Sequence, residues 1–194
     1  MNSSLKKSRF RESSFDLSFQ TRDKVIKYDE HPYYRQLSAT GLKGVDFIFM
    51  EKDKLVLLEL KNYGQYDPKT AYPDAALLTE KLLMKYEDSY KGLRAIFSYF
   101  RQRRPHKFVF KTMEKLPPRL QIKHPWFIKS KAFSEGKIIF LLVIGFPRSE
   151  NPNTKQDYCD QVKRLWKKEV DIPLEIIIED SKEDFEALSL QILH

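Results

Sequence analysis

The chain has little of several residues that common classes of enzyme require. Cysteine occurs once in 194 residues, at Cys159, so an internal disulfide and a thiolate zinc site are both excluded. This usage indicates a reducing compartment, and we expect a cytoplasmic protein. Only six glycines are present, and neither GxxxxGK[ST] nor GxGxxG occurs, which excludes the common phosphate-cradling loops. A GxSxG motif is absent too.

Histidines in metal-binding patterns and long apolar runs are also lacking. The histidines are His31, His106, His124 and His194, and they show no HExxH or paired spacing, so a zinc hydrolase is not expected. The longest apolar run, Ile138 to Ile144, has seven residues. No apolar stretch follows the basic start of the chain. The sequence therefore predicts no signal peptide and no membrane span.

Charge is unevenly distributed along the chain. The net charge is +8, but residues 81–131 carry fourteen basic and three acidic residues, a local net of +11 that leaves −3 for the rest. Residues 169–186 carry eight acids and one lysine. Aromatic residues are interleaved with the basic ones, which is typical of surfaces that bind nucleic acid. The alternative is a solvated basic surface whose aromatic residues belong to the core.

The order of strands and helices indicates an α/β or α+β domain with a mixed sheet. We expect a single domain over residues 15–194, preceded by a basic, flexible arm over residues 1–14. The predicted elements begin with an edge strand or bend within 24–37, a hairpin over 44–61, and a helix over 73–103 in which Gly92 is a candidate break. They continue with an irregular or short-strand basic segment over 104–136, a buried strand over 137–146, a helix over 154–170, a second buried strand over 174–178, and a helix over 182–193 capped by Ser181.

The hairpin is the part of the sequence with the clearest chemistry. If its turn is centred between Lys52 and Asp53, cross-strand partners have residue numbers that sum to 105, so Asp46 lies opposite Glu59. Side chains alternate along a strand, which places Lys61 on the same face. Two opposed carboxylates repel unless a positive charge lies between them. Their hard oxygen atoms suit Mg²⁺ or Mn²⁺.

These residues resemble the motif of the PD-(D/E)xK nuclease superfamily, which has the restriction-endonuclease-like fold. The likeness consists of Asp46, the hairpin, the tripeptide Glu59-Leu60-Lys61 in an apolar strand, and the helix that follows. Val45 stands where the family has proline. The resemblance implies a central mixed sheet flanked by helices. It also implies that Asp46, Glu59 and the Leu60 carbonyl bind the metal, and that Lys61 positions or activates the attacking water.

Further site residues are less firmly indicated. Many members of the superfamily carry an additional acid on an early helix, for which Glu12, Asp16, Asp29 and Glu30 are candidates, with Glu30 at the most suitable distance. Basic residues expected to hold nucleic acid are Lys81, Lys85, Arg101, Arg103, Arg104 and Lys107. For Lys81 and Lys85 a solvated helix face is an equal alternative. For Glu59 and Lys61 the alternative is an ion pair on an exposed strand edge.

The sequence thus predicts a divalent-metal-dependent endonuclease that acts on nucleic acid, with DNA favoured over RNA. The main alternative is a non-catalytic nucleic-acid-binding or assembly subunit that keeps the nuclease fold. The acidic segment over residues 169–186 suggests a surface for a partner protein or for a second copy of the chain.

Overall fold

In the computed structural model, a five-stranded mixed sheet lies between a layer of helices and a second sheet of three strands. The structure describes residues 6–21, 24–38, 41–64, 72–102, 112, 125–180 and 190–193. The elements are β1 (Lys6–Glu12), β2 (Phe15–Thr21), β3 (Ile26–Lys27), α1 (Pro32–Ser38), β4 (Phe47–Glu51), β5 (Lys54–Asn62), α2 (Ala75–Gln102), α3 (Pro125–Ser134), β6 (Ile138–Gly145), α4 (Pro152–Glu169), β7 (Leu174–Ile178) and β8 (Leu190–Leu193). The predicted α+β class with a mixed sheet is confirmed.

The main sheet has the strand order β3-β4-β5-β6-β7, which makes β5 its central strand. Strands β3, β4 and β5 are antiparallel neighbours, whereas β5, β6 and β7 run parallel. Parallel neighbours need long crossovers, and helices α2 and α4 supply them. Both helices pack on the same face of the sheet, around Trp166 and Phe140. Because the middle of β5 is covered on both faces, the side chain of Glu59 lies in the interior.

The hairpin of β4 and β5 has the register that the sequence predicted. Phe47 lies opposite Leu58 and Ile48 opposite Leu57, so the residue numbers sum to 105. Ile48 and Leu57 face the helices, while Phe47 and Leu58 face the second sheet. The predicted division of the hairpin into two faces is therefore confirmed.

The prediction of a flexible arm over residues 1–14 is wrong from Lys6 onward. Strands β1 and β2 form a hairpin whose two turn residues, Ser13 and Ser14, both have positive φ angles. Phe10 packs inward against the apolar face, whereas Arg9 and Arg11 are exposed. Alternation thus reconciles a basic sequence with an ordered strand. Residues 1–5 lie outside the described part of the chain.

Three other predicted elements need correction. Residues 125–134 form helix α3 rather than an irregular segment, and Pro125 is compatible with the first helical turn because the missing N–H would have no partner there. Strand β7 is at the edge of the sheet and only partly buried. Residues 190–193 form strand β8 and not the end of a helix. Ser181 and the rest of that predicted helix lie outside the described residues.

The long helices are confirmed. Helix α2 runs without a break through Gly92, so the predicted interruption there is wrong. Its buried residues follow three- and four-residue steps along one face. Helix α4 begins after Asn151, whose side chain accepts a hydrogen bond from the N–H of Asn153, and Pro152 occupies its first turn.

Candidate active site

Asp46 lies where the chain enters β4, and hydrogen bonds fix its position. The Leu60 N–H donates to Asp46 Oδ2 over 2.8 Å. The N–H of Val45, the preceding residue, donates to Ser89 Oγ on α2 over 2.9 Å. Gly44 lets the chain before Asp46 pass close to α1, because a Cβ there would lie 2.7 Å from the Tyr34 ring. The Asp46 carboxylate is thus held against both the central strand and helix α2.

Glu59 is a fully buried carboxylate on the central strand. Its side chain has 0% exposure, and Oε1 accepts hydrogen-bonding contacts from Lys61 Nζ at 2.6 Å and Lys85 Nζ at 2.8 Å. Its other oxygen, Oε2, has no hydrogen-bond partner among the described residues. An unpaired buried acceptor costs about 1–3 kcal/mol of stability, and more when it is charged. The interpretation of Glu59 as part of an exposed strand edge is wrong, although its ion pair with Lys61 is present.

Lys85 joins the two carboxylates from the helix side. Its ammonium is 2.8 Å from Glu59 Oε1 and 3.5 Å from Asp46 Oδ1, and its side chain is 24% exposed. The sequence suggested either a solvated helix face or nucleic-acid contact for this residue. The structure instead places Lys85 in the same cluster as Asp46, Glu59 and Lys61. We call these four residues the acid–lysine cluster.

The electrostatics of the cluster reflect its burial. Burial raises the pKa of Glu59, and repulsion from Asp46 raises it further, while Lys61 and Lys85 act in the opposite direction. Burial lowers the pKa of Lys85, but the carboxylates of Glu59 and Asp46 outweigh this effect, so its pKa is raised overall. The formal charges of the four side chains sum to zero.

The donor set of the cluster suits a hard divalent cation. Within the described ranges no group of three or more His, Cys, Asp or Glu side chains is placed to hold a metal. A metal here would therefore rely on Asp46, Glu59, backbone oxygen and water, a set that Mg²⁺ accepts because it usually retains several waters. The Leu58 carbonyl accepts from the Asp46 N–H, and alternate carbonyls of a strand point to the same edge, so the Leu60 carbonyl faces this side as well. The unpartnered Glu59 Oε2 supplies a free anionic ligand.

The early acids are placed differently from the sequence expectation. Glu30 and Glu12 both bind Lys27, at 2.6 Å and 2.7 Å, so Glu30 is directed to that lysine and not to the cluster. Asp16 lies 4.0 Å from Arg11. Burial is the main cause that raises the pKa of Asp29. Lys27 acts in the opposite direction, and the Asp46 carboxylate raises the pKa further. Asp29 thus interacts electrostatically with Asp46, whereas Glu30 pairs with Lys27.

The three described residues of the predicted nucleic-acid-binding set, Lys81, Lys85 and Arg101, do not form one patch. Lys81 is exposed, one helical turn before Lys85. Arg101 is exposed in the last turn of α2, and at 1.5 Å per residue it lies about 24 Å along the axis from Lys85. Arg103, Arg104 and Lys107 lie outside the described residues. Of the described candidates outside the acid–lysine cluster, Lys81 is therefore the phosphate contact that lies nearer to it.

The acidic segment is described only as far as Asp180. Asp180 pairs with Lys155 of α4 at 2.9 Å, and the lysine is buried. Part of the acidic charge of residues 169–186 therefore has a partner inside the protein. Residues 181–189 of that segment lie outside the described part of the chain.

Comparison of the chain with known protein families, with curated proteins and with solved structures found no match. In the described ranges no helix is both long and apolar enough to cross a membrane. The geometry of the acid–lysine cluster and the distribution of charge are therefore the features that point to a function.

Proposed function

We propose that this protein is a divalent-metal-dependent endonuclease that hydrolyses phosphodiester bonds, with DNA as the favoured substrate. The observation that carries the proposal is the buried Glu59, which has a free Oε2 and lies beside Asp46 and Lys61. A carboxylate with 0% exposure and one unpaired oxygen is costly for a purely structural role. It is well suited to a ligand that must be bound tightly.

Asp46, Glu59 and the Leu60 carbonyl are the groups that would hold Mg²⁺ or Mn²⁺. When bound, such an ion stabilises charge on phosphate oxygens and lowers the pKa of a coordinated water. The protein fixes the two carboxylates through the central strand and through helix α2, so little rearrangement is needed for them to act together. This fixed geometry supports a catalytic role for the pair.

Lys61 is the residue that we assign to the attacking water or to the developing negative charge. Its ammonium contacts Glu59 Oε1, and its side chain is 28% exposed, so one end of it is open to a substrate. Lys81, exposed on the neighbouring turn of α2, is assigned to the phosphate backbone. The remaining positive charge of residues 81–131 supports binding of a polyanion.

A second candidate is a non-catalytic nucleic-acid-binding or assembly subunit with the same fold. The zero formal charge of the cluster favours it, because two lysines neutralise the two carboxylates without any metal. A homodimer or a partner protein bound through the exposed acids of residues 169–180 is compatible with either function.

Cleavage of a substrate panel separates the two candidates. Duplex, single-stranded and branched DNA, together with single-stranded RNA, are incubated with the protein and millimolar Mg²⁺ or Mn²⁺. We expect the wild-type protein to cut DNA and EDTA to abolish the cutting. Glu59→Gln, purified in the same way to exclude a contaminating nuclease, should not cut. Nucleic-acid binding without cutting of any member of the panel would contradict the nuclease and favour the binding subunit.

A further inference from the structure

Lys85 occupies the position between the two carboxylates that a bridging cation would need. Its Nζ lies 2.8 Å from Glu59 Oε1 and 3.5 Å from Asp46 Oδ1. Lys61 makes its ion pair with Glu59 alone among the described residues. The ammonium of Lys85 thus contacts both of the acids to which we assign a metal.

The backbone that carries Lys85 is fixed relative to Asp46. One helical turn along α2, Ser89 Oγ accepts from the Val45 N–H over 2.9 Å. Asp88 Oδ2 accepts from the Lys43 N–H over 2.9 Å. These bonds join the turn of α2 that follows Lys85 to the segment that ends at Asp46, so the distance between the two backbones cannot easily change.

The side chain of Lys85 can move where its backbone cannot. Lysine has a flexible four-carbon stem that ends in a compact charge. With 24% of the side chain exposed, rotation of the stem can carry the ammonium into solvent without any change in the helix. An ammonium left in place would repel a divalent cation bound by the same two carboxylates.

We propose that Lys85 is an internal competitor of the metal: its ammonium bridges Asp46 and Glu59 in the metal-free protein and leaves for solvent when the divalent cation binds. This inference rests on the proposed function, because it uses the same metal site. In this role Lys85 is a positioning residue. Its ammonium holds the two carboxylates together and compensates their charge until a metal binds. The wild-type protein accordingly binds metal more weakly than the carboxylates alone would allow.

Metal affinity measures this competition directly. Lys85→Met keeps an unbranched apolar stem and removes the charge. We expect it to tighten Mn²⁺ binding, measured by isothermal titration calorimetry on the full chain, by about tenfold or more, the effect of a unit charge a few ångströms away. In EDTA the same variant should have a lower Tm than the wild type. Lys85→Arg, which keeps the charge, should restore weak binding, and Lys167→Met, at an exposed position of α4, should match the wild type.

A second measurement uses the wild-type protein and needs no variant to fold. Lysine acetylation by acetic anhydride is followed by mass spectrometry with and without Mg²⁺. We expect the acetylation rate of Lys85 to rise when Mg²⁺ is added, while that of Lys81 stays constant. A merely structural ion pair would not give this rise.

Several results would overturn the competition. One is Mn²⁺ affinity that is unchanged or weaker in Lys85→Met than in the wild type. A second is the absence of Mn²⁺ binding in both the wild type and Lys85→Met. A third is a Lys85 acetylation rate that is unchanged or slower when Mg²⁺ is added. Failure of the nuclease proposal would look different. A wild-type protein that binds Mn²⁺ more weakly than Lys85→Met but cuts no nucleic acid would support the competition and contradict the nuclease.

Discussion

The backbone N–H of Leu60 donates a hydrogen bond to Asp46 Oδ2 over 2.8 Å, so Asp46 supports the hairpin as well as the cluster. Repulsion between Asp46 and Glu59 alone would make removal of the Asp46 charge neutral or stabilising in the absence of metal. The bond to Leu60, together with the contact to Lys85, changes that expectation.

In the metal-free protein, Asp46→Ala should therefore cost more stability than Asp46→Asn. Asparagine can still accept from the Leu60 N–H, whereas alanine leaves this buried donor unpaired, which costs about 1–3 kcal/mol. Urea denaturation in EDTA measures the difference in the free energy of unfolding. Both variants should lose Mn²⁺ binding. Equal stability of the two would show that the bond to Leu60 contributes nothing.

The hairpin register could be predicted from the sequence, whereas the position of Lys85 could not. Alternating side chains and a two-residue turn fix the pairing of Phe47 with Leu58 locally. The approach of Lys85 to Glu59 depends on how α2 docks on the sheet, which no pattern within either segment specifies. The buried face of α2 was visible as periodicity, but Lys85 lies at the margin of that face.

The β1–β2 turn and strand β8 were also difficult to predict from the local sequence. The turn of the β1–β2 hairpin is Ser13-Ser14, which lacks the glycine or asparagine that usually marks positive φ angles. In β2 the alternate residues Phe15, Leu17 and Phe19 are apolar and buried, and this period of two could have identified the strand from the sequence. Strand β8 is too short to show a period, and its pairing with β2 is long-range.

Lys61→Ala should separate catalysis from binding. Removal of one electrostatic donor typically lowers a rate by about a hundred- to a thousandfold. We expect cleavage to fall by that factor while DNA affinity stays close to the wild type and Mn²⁺ affinity does not weaken, because neither carboxylate is removed. Single-turnover cleavage and calorimetry check the two expectations. A Lys61→Ala protein that cuts as fast as the wild type would remove this residue from the mechanism.

Ser89→Ala tests how the segment before Asp46 is held. It leaves the buried Val45 N–H without its acceptor, so the free energy of unfolding should fall by about 1–3 kcal/mol. Mn²⁺ affinity should weaken as well, since Asp46 follows Val45 directly. Ser134→Ala is the matched control, because the Ser134 hydroxyl donates to a carbonyl at an exposed position and should be nearly neutral.

Salt dependence tests contact with nucleic acid. The slope of log affinity against log salt concentration should become shallower by roughly one unit for each phosphate contact that is removed. We expect this change for Lys81→Gln and for Arg101→Gln. Lys137→Gln is the control, because Lys137 pairs with Asp53 and Glu135 beside the β4–β5 turn, at the opposite end of β5 from Lys61. Affinity that is independent of salt would indicate a partner other than a polyanion.

Cys159 gives the stability a defined pH dependence. Burial raises the pKa of its thiol from the ordinary value of 9.0 to about 11. The folded state thus favours the protonated thiol, and this contribution is complete below pH 9 and is lost as the pH rises toward 11. Between pH 8 and pH 10 the wild type should lose about 1 kcal/mol more than Cys159→Ala in urea denaturation. Equal losses would contradict this burial effect, and the tyrosines shared by both proteins cancel in the comparison.

The pairing of β8 with β2 makes assembly of the three-stranded sheet wait until residues 190–193 have been synthesised. Gln20 and Gln191 hydrogen-bond across a separation of 171 residues, and Leu190 is buried in the apolar cluster that also contains Leu58 and Leu60. A nascent chain that has not yet reached residue 190 keeps one edge of β2 unpaired and part of that cluster uncovered. Contacts between residues so far apart in the sequence are slow to form. Ribosome-bound chains therefore carry an exposed strand edge to which chaperones or other chains can bind.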